Sequence, residues 1–269
     1  MQIAVFGCAG RMGKVNVACV LDDPATTLVA GVQPKGHAAV GNDLGTLIGR
    51  APLGLLVSDD VEAAMEAADC AIDFTTPDAA AEIAQAAARH GTALVVGTTG
   101  LEHAPAAEAA FAAAATKVPV VVAPNMSRGV TLLTELVELV ARTFDETFDI
   151  EIVELHHNKK ADAPSGTAMG LAAAAARGRG VDLPAVLERA RDGITGARVP
   201  GRIGVAAVRA GESVGEHTVY VAGPGERLEL VHRASNRSIF GRGAVAAARW
   251  THGRPPGRYG MADVLGLRG

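Results

Sequence analysis

Cysteine and aromatic residues are both scarce in this sequence. The chain of 269 residues contains three cysteines, Cys8, Cys19 and Cys70, and aromatic side chains make up 3% of it. The cysteines lack the spacing of metal ligands and their number is odd, which predicts free thiols in a reducing, cytoplasmic compartment rather than a disulfide framework. Alanine is abundant where aromatics are rare, and we attribute this bias to genome composition rather than to mechanism.

Long apolar runs and a strong net charge are also missing. No apolar run approaches the roughly 20 residues that span a bilayer, and the start MQIAVFGCAG lacks the basic residues of a secretory signal. Lys and Arg number 25 against 29 Asp and Glu, so the formal charge of -4 gives no general attraction to nucleic acid or to an anionic membrane. The expected partners are therefore small molecules and other subunits.

Short β-rich runs alternate with alanine-rich helical stretches in the first half of the chain. The predicted strands are IAVFG, TLVAGV, CAIDFT, ALVVGTT and VPVVVAPN. Between these strands, one helix is predicted to end near Leu21, and two others are predicted over residues 78–89 and 102–115. Such alternation, with strands that are apolar throughout, is typical of a Rossmann-like doubly wound α/β fold, in which helices cover both faces of a parallel sheet.

The pattern changes after Asn125. A helix is predicted over residues 127–144, and the strand-like runs FDIEIVELH, RIGVAAVRAG, EHTVYVAG and RLELVHRAS then follow with few helices between them. We therefore predict a second α+β domain built on a mixed sheet. The stretch GAVAAARWTH and the tail YGMADVLGLRG are predicted to be helical. The predicted boundaries are 1–126 for the first domain, with 236–269 packing back onto it, and 127–235 for the second domain.

The stretch VFGCAGRMG places three glycines, Gly7, Gly10 and Gly13, between the first strand and the first helix. Glycines there allow close backbone approach, and amides at the helix start can hold a pyrophosphate. The spacing is GxxGxxG rather than GxGxxG, so a purely structural turn remains an alternative. Its position at the head of the βαβ units favours dinucleotide binding. Arg11 lies inside the turn, where it would face either phosphate or solvent.

Further strand ends are expected to line the same crevice, because ligands of doubly wound sheets bind at the carboxyl ends of the strands. Gly97, Thr98 and Thr99 follow one strand and APNMS follows another, with plain turns as the alternative. Gln33 ends the second strand, where an acidic residue would favour a free ribose 2′-hydroxyl, and Lys35 lies where it could meet a 2′-phosphate. The sequence predicts that NADPH is at least accepted.

Two histidines and two lysines are crowded into ELHHNKKADAPSGTAMG, residues 154–170. Pro164 and Ser165 are typical helix-start residues, and Gly166 and Thr167 then present amides at the positive end of a helix, which suits a carboxylate. Histidine exchanges protons near neutral pH, and lysine donates to anions. This composite predicts a site for a dianionic small molecule, with a solvated loop as the alternative. No metal site is predicted, since adjacent histidines diverge on a strand and lack a third ligand.

The segment ELHHNKKADAPSGTA resembles the signature E-x-H-H-x-x-K-x-D-A-P-S-G-T-A of the 4-hydroxy-tetrahydrodipicolinate reductase family, historically dihydrodipicolinate reductase, of the diaminopimelate and lysine pathway. GCAGRMG, AIDFTTP, VVGTTG, VPGRIGVAAVRAGESVGEHTV and ASNRSIFGRGAV extend the resemblance over nearly the whole chain. It implies a homotetramer that reduces a small dicarboxylate with NADPH and/or NADH. The first domain would bind the dinucleotide, and the second would bind substrate and form subunit contacts.

Matching this sequence to the family signature residue by residue indicates which residues would have the family's catalytic roles. The resemblance implies that His156 is the proton donor or acceptor. It implies that Lys160, rather than Lys159, binds a substrate carboxylate and assists proton transfer. The other implied substrate contacts are His157, Gly166 and Thr167.

The same matching implies a set of residues that line the cofactor. These are Gly7, Cys8, Ala9, Gly10, Arg11, Met12, Gly97, Thr98, Thr99, Ala123, Pro124, Asn125 and Met126, together with Arg237 at the cofactor or substrate edge. Gln33 and Lys35 are added as candidates from the second strand end. Gln33 departs from the family, in which many members carry an acidic residue, and this leaves the preference between NADH and NADPH open.

Two other interpretations of the sequence compete with this one. One is another Rossmann-fold dehydrogenase acting on an amino-acid-like dicarboxylate, such as an aspartate or homoserine dehydrogenase; the paired histidines before DAPSGTA argue against it. The other is a non-catalytic, nucleotide-sensing relative, which the intact His156 and Lys160 argue against.

Overall fold

The computed structural model describes residues 1–189 and 191–267, and Glu102 by its backbone only. The chain forms two compact units. The first contains Met1–Arg128 and the chain from Arg237 onward, and the second contains Gly129–Asn236. In the sequence, the second unit thus lies between the two segments that form the first unit.

The strands of the described residues are numbered β1 to β12 along the chain. They are β1 Gln2–Phe6, β2 Thr27–Val32, β3 Val57–Ser58, β4 Cys70–Asp73, β5 Ala93–Val96, β6 Pro119–Val122, β7 Asp149–His156, β8 Leu187–Glu188, β9 Ile203–Arg209, β10 Glu216–Gly223, β11 Glu226–Arg233 and β12 Gly257–Tyr259.

The α-helices of the same residues are numbered α1 to α10. They are α1 Arg11–Asp22, α2 Leu44–Leu47, α3 Val61–Ala67, α4 Pro77–His90, α5 Pro105–Ala114, α6 Arg128–Thr143, α7 Gly166–Arg179, α8 Leu183–Val186, α9 Ser238–Thr251 and α10 Met261–Val264. A 3-10 turn at Leu101–His103 precedes α5.

The first unit contains a parallel sheet with the strand order β12-β6-β5-β4-β1-β2-β3. Alternate residues of β1 enter two different cores: Val5 belongs to the core that contains Val245 of α9, and Phe6 belongs to the core that contains Phe111 of α5. Helices on both faces explain why β4 and β5 are buried along their whole length. Because the strands are parallel, their carboxyl ends share one edge of the sheet.

The second unit contains a mixed sheet with the order β11-β10-β7-β9-β8, in which β7 is antiparallel to β10 and parallel to β9. The central strand β7 alternates between half-buried and buried residues. Its buried residues Ile150 and Ile152 belong to the same core as Leu133 of α6 and Leu171 of α7. Since side chains alternate along a strand, Glu154 and His156 lie on this same inward face.

The predicted fold class is confirmed: a parallel sheet with helices on both faces is followed by a second, mixed sheet. The helix predicted over residues 102–115 is wrong at its start, because α5 begins at Pro105, which suits the first helical position but cannot continue a preceding helix. In the C-terminal tail, α10 confirms the predicted helix, and residues 268 and 269 lie outside the described residues. The edge strand β12, parallel to β6, was not predicted. Among the described helices, none is long and apolar enough to cross a membrane.

Candidate active site

The turn between β1 and α1 has the geometry of an anion-binding loop. Gly7 has φ +69°, in the region that favours glycine, and a Cβ at Gly13 would lie 1.9 Å from the carbonyl oxygen of Gly7. Gly10 occupies the N-cap of α1, and no side chain of the described residues caps this helix. The first amides of α1 therefore have no acceptor within the helix and can bind a pyrophosphate.

Gln33, which directly follows β2, stabilises this turn through hydrogen bonds to its backbone. Its side chain is buried, and in the amide orientation that satisfies its neighbours, its oxygen accepts hydrogen bonds from the amides of Cys8 (3.1 Å) and Ala9 (2.6 Å). The sequence placed Gln33 beside a ribose, whereas the structure turns its amide group toward the backbone of the glycine turn. Lys35, two residues on, is exposed.

The predicted turns after β1, β5 and β6 lie along one edge of the sheet. Backbone hydrogen bonds tie them to neighbouring strands: Gly7 N donates to Val32 O (2.9 Å), Gly97 N to Asp73 O (2.8 Å), and Ala123 N to the carbonyl at the end of β5 (3.0 Å). The structure therefore brings together the glycine turn, the turn at residues 97–99 and the segment 123–126.

Asp73, at the end of β4, was not predicted as part of this edge. It is fully buried and accepts hydrogen bonds from the Thr98 hydroxyl (2.9 Å) and from the Thr75 amide (3.0 Å) and hydroxyl (2.6 Å). Burial raises the pKa of Asp73 to about 6, although these hydrogen bonds act in the opposite direction. The Thr98 hydroxyl is thus committed to Asp73.

The remaining predicted cofactor residues differ in how exposed their side chains are. Cys8, Ala123 and Met126 are buried, so their side chains belong to the core. Those exposed or half-buried are Ala9, Gly10, Arg11, Met12, Thr99, Pro124, Asn125 and Arg237, the last at the N-cap of α9. Gly97 has a packing role of its own, because a Cβ there would lie 2.2 Å from the ring of Phe74.

In the second unit, the buried carboxylate of Glu154 organises the histidine cluster. Its Oε2 lies 2.6 Å from Nδ1 of His156, and its Oε1 accepts from the amide of Ser165 at 2.9 Å. Arg209 on β9 donates to both carboxylate oxygens, at 2.7 and 2.8 Å. Burial acts to raise the pKa of Glu154, but the hydrogen bonds from Arg209, His156 and Ser165 outweigh it and hold that pKa below its usual range.

The N-terminus of α7 adjoins this carboxylate. Ser165 caps the helix by accepting from the amide of Ala168 at 3.1 Å, and its hydroxyl is also hydrogen-bonded to Nε2 of His217 at 3.1 Å. The His217 ring meets the His156 ring edge to face, with centroids 5.3 Å apart. Burial and the neighbouring His156 lower the pKa of His217 to about 4, so His217 is neutral at physiological pH.

His156 keeps one ring nitrogen for other partners. No residue that the structure describes makes a hydrogen bond to its Nε2. A Cβ at Gly215 would lie 2.8 Å from this atom, so the glycine leaves space beside it. Since an ionised carboxylate only accepts hydrogen bonds, Nδ1 donates to Glu154, and Nε2 is the nitrogen that can exchange a proton.

Lys160 and Lys159 differ in their surroundings. The chain turns after β7, where Lys160 N donates to His157 O at 3.1 Å. Nζ of Lys160 pairs with Asp162, whose pKa this ammonium lowers, while Lys159 is exposed. The predicted substrate residues His157 and Thr167 are half-buried and Gly166 is exposed at the start of α7.

The residues that sequence reasoning missed here are Glu154, Arg209 and His217. Glu154 had a signal: it occupies an inward position of a strand whose other inward residues are Ile150 and Ile152, so it had to have a buried partner. Arg209 is 55 residues from Glu154 in the chain, and only the pairing of β9 with β7 brings them together.

We searched the described residues for a metal site. Within residues 1–189 and 191–267, no group of three or more histidine, cysteine, aspartate or glutamate side chains could hold an ion.

A glycine turn on a Rossmann-like sheet, together with a buried histidine and carboxylate on a second sheet, is the arrangement of a two-unit dinucleotide-dependent oxidoreductase. Comparison with protein families is more specific. Residues 1–126 match the model for the N-terminus of dihydrodipicolinate reductase, and residues 129–265 match the model for its C-terminus. The chain belongs to the dihydrodipicolinate reductase family.

Individual relatives cover the full length. The chain is 50% identical to the 4-hydroxy-tetrahydrodipicolinate reductase of Roseobacter denitrificans, over 100% of this chain and 98% of that protein. It is 52% identical to the enzyme of the same name from Alkalilimnicola ehrlichii, over 99% of each. Among solved structures, it superposes on a dipicolinate-bound dihydrodipicolinate reductase from Paenisporosarcina sp. TG-14 with a TM-score of 0.79 and 25% identity, covering 98% of this chain and 99% of that one.

Proposed function

We propose that this protein is a 4-hydroxy-tetrahydrodipicolinate reductase, which uses NADPH or NADH in lysine and diaminopimelate biosynthesis. The observation that carries the proposal is the buried arrangement of Glu154, His156 and Ser165 at the start of α7. It occurs in a chain about half identical, over its whole length, to proteins that bear this name.

The cofactor is a reduced nicotinamide dinucleotide, and the glycine turn of the first unit fits its pyrophosphate. Gly7 and Gly13 permit the close backbone packing of that turn, and the uncapped start of α1 offers amides to phosphate oxygens. We assign Arg11, which is exposed at this turn, to the phosphates and Lys35 to a ribose 2′-phosphate. When bound, the cofactor supplies a hydride to C4 of the substrate.

Two substrate carboxylates require two positive groups. The solved relative held dipicolinate, a ring with two carboxylates. In this chain the amides of Gly166 and Thr167, at the positive end of α7, suit one carboxylate, and the ammonium of Lys160 suits the other. Two such contacts fix both the position and the orientation of a ring. His157 completes the proposed substrate contacts.

His156 is the proposed proton donor. The substrate loses its 4-hydroxyl group as water, and the hydride that arrives at C4 leaves an enamine that needs a proton. Nε2 of His156 can deliver this proton, because Nδ1 remains hydrogen-bonded to Glu154 while it does so. The products are tetrahydrodipicolinate, water and the oxidised cofactor.

We further propose a cytoplasmic homotetramer assembled through the second unit. One face of the mixed sheet is covered by α6 and α7, but Val208 on β9 and Val231 on β11 lie on its other face with 44% and 41% exposure. Exposed apolar side chains on a sheet face suit burial against another subunit. Light scattering of the purified protein tests this assembly, and a monomeric mass for an active enzyme would contradict it. No nucleic acid or membrane partner is proposed.

The decisive experiment is a coupled assay. The synthase that produces 4-hydroxy-tetrahydrodipicolinate is supplied with its substrates, and oxidation of NADPH or NADH is followed after this protein is added. We expect rapid oxidation that requires the synthase. If neither cofactor is oxidised by a folded protein, the proposed function is wrong.

A further inference from the structure

The carboxylate of Glu154 has four donors arranged around two oxygen atoms. Oε2 faces Nδ1 of His156 and one Arg209 nitrogen, and Oε1 faces the Ser165 amide and the other Arg209 nitrogen. The side chain has no exposed surface. It therefore touches neither solvent nor a bound ligand directly, yet it contacts both the predicted proton donor and the helix start.

From this geometry we propose that Glu154 is a positioning residue for the reduction. It holds His156 with Nδ1 toward the carboxylate and Nε2 open for proton exchange, and it ties the N-terminus of α7 to the same point. The inference rests on the proposed function, because it assumes that His156 delivers the proton.

The charge of Glu154 is necessary for the first part of this role. A buried carboxylate without a partner would take up a proton, and it could then donate a hydrogen bond to Nδ1 instead of accepting one. The two-pronged contact with Arg209 keeps the carboxylate ionised. Nδ1 of His156 therefore stays protonated whether the ring is charged or neutral, and proton transfer is confined to Nε2.

The second part of the role concerns the path from β7 to α7. Besides binding Glu154, Arg209 donates from Nη2 to the backbone carbonyl of Asp162 at 2.7 Å, and Glu154 accepts from the amide of Ser165. The two side chains thus anchor both ends of the segment 162–165 that leads into α7. The same Glu154–Arg209 ion pair therefore positions both the proposed proton donor and the proposed anion-binding amides.

The test compares Glu154→Gln with a matched control, Glu138→Gln. The control removes a Glu–Arg pair from the same unit, since Glu138 on α6 pairs with Arg177 on α7 at 2.8 Å. We expect Glu154→Gln to lower kcat roughly 100-fold or more with the cofactor KM unchanged, as when a histidine loses its orienting carboxylate. The control should stay within about twofold of the parent, as surface pairs contribute little.

Nitrogen-15 NMR of histidine-labelled protein supplies a readout that needs no turnover. In the parent, neutral His156 should carry its proton on Nδ1. In Glu154→Gln the Nε2-protonated tautomer should become populated, because the amide group can donate as well as accept. A tautomer that stays entirely Nδ1-protonated in the variant would overturn the proposal, even if the assay substrate proved wrong for the parent.

A double variant, Glu154→Gln with Arg209→Gln, separates positioning from folding. Removing both charges avoids leaving the half-buried Arg209 unpaired, so the thermal stability of the double variant should exceed that of Glu154→Gln alone. We expect kcat to stay low despite this recovery. A double variant with parental kcat would show that the single variant was merely misfolded and would refute the positioning role. An inactive parent would instead refute the proposed function.

Discussion

The ammonium group of Lys160 lies 2.8 Å from each carboxylate oxygen of Asp162. The Asp162 side chain is 65% exposed, so the pair is screened by solvent and contributes at most about 1 kcal/mol. In the role proposed for Lys160, a substrate carboxylate competes with Asp162 for this ammonium. The ion pair is then a weak competitor of substrate, and its removal has a predictable effect on KM.

Asp162→Asn should lower the KM for substrate by up to about fivefold, because about 1 kcal/mol of competition disappears, while kcat stays the same. Steady-state kinetics at low and high salt measure this, and the gain should shrink as salt screens the parental pair. A KM that rises tenfold would mean that Asp162 orders the segment rather than competing with substrate.

Lys160→Ala should lower turnover and weaken substrate binding together, since the bound substrate also loses its cationic partner. Lys159→Ala is the matched control: Lys159 is exposed in the turn after β7 and should stay within a few-fold of the parent. Cofactor binding should be the same in both variants. Equal damage from the two substitutions would show that the family position has been assigned to the wrong lysine.

His156→Ala should act mainly on kcat, lowering it roughly 100-fold to 10,000-fold, the range typical of losing a general acid. KM for the cofactor should not change, because His156 lies in the second unit and the proposed cofactor turn in the first. Single-turnover measurements with saturating substrate isolate this step. Near-normal turnover would remove His156 from the proton transfer.

Gln33→Ala and Lys35→Ala should affect the cofactor differently. Gln33 braces the glycine turn common to both dinucleotides, so its loss should raise KM for NADPH and NADH alike by about 2- to 10-fold, the equivalent of a hydrogen bond or more. Lys35→Ala should raise KM for NADPH more than for NADH, because only NADPH carries a 2′-phosphate. The ratio of the two KM values in each variant decides between the roles.

Asp73→Asn should change how stability depends on pH. The pKa of Asp73 is raised to about 6 in the folded protein, above the unfolded value of about 3.9. Its contribution to stability is thus fully present below pH 4 and is lost as pH rises through 6, by about 3 kcal/mol in all. Asparagine cannot ionise, so the stability of the variant relative to the parent should rise between about pH 4 and pH 6 and then level off. A pH-independent difference in Tm would contradict the raised pKa.

The sequence predicted the larger elements of the fold because each had a strong local signal. β4 and β5 are short apolar runs between alanine-rich helices, and α7 opens with a proline, a serine cap and two small residues. The strand β12 was not predicted, because it has three residues, Gly257–Tyr259, and becomes a strand only by pairing with β6. No local pattern encodes such an edge pairing.

The candidate site was likewise predictable where its residues are close in sequence. His156, Lys160 and the start of α7 are close in sequence, so their proximity could be inferred. Gln33 could be located at the end of β2, but its burial against the glycine turn depends on tertiary packing. Arg209 and His217 reach Glu154 and Ser165 from other strands, over 55 and 52 residues, so only the register of the mixed sheet reveals them.

The discontinuity of the first unit imposes an order on protein synthesis. The ribosome makes Met1–Arg128, then all of Gly129–Asn236, and only afterwards α9 and β12. Until α9 emerges, the apolar surface that Ala244 and Val245 cover on the first sheet lacks these partners. The inserted unit has its whole sequence available earlier. The first unit, whose N-terminal segment is translated before the second unit, is therefore completed last. It is the unit to which we assign the cofactor.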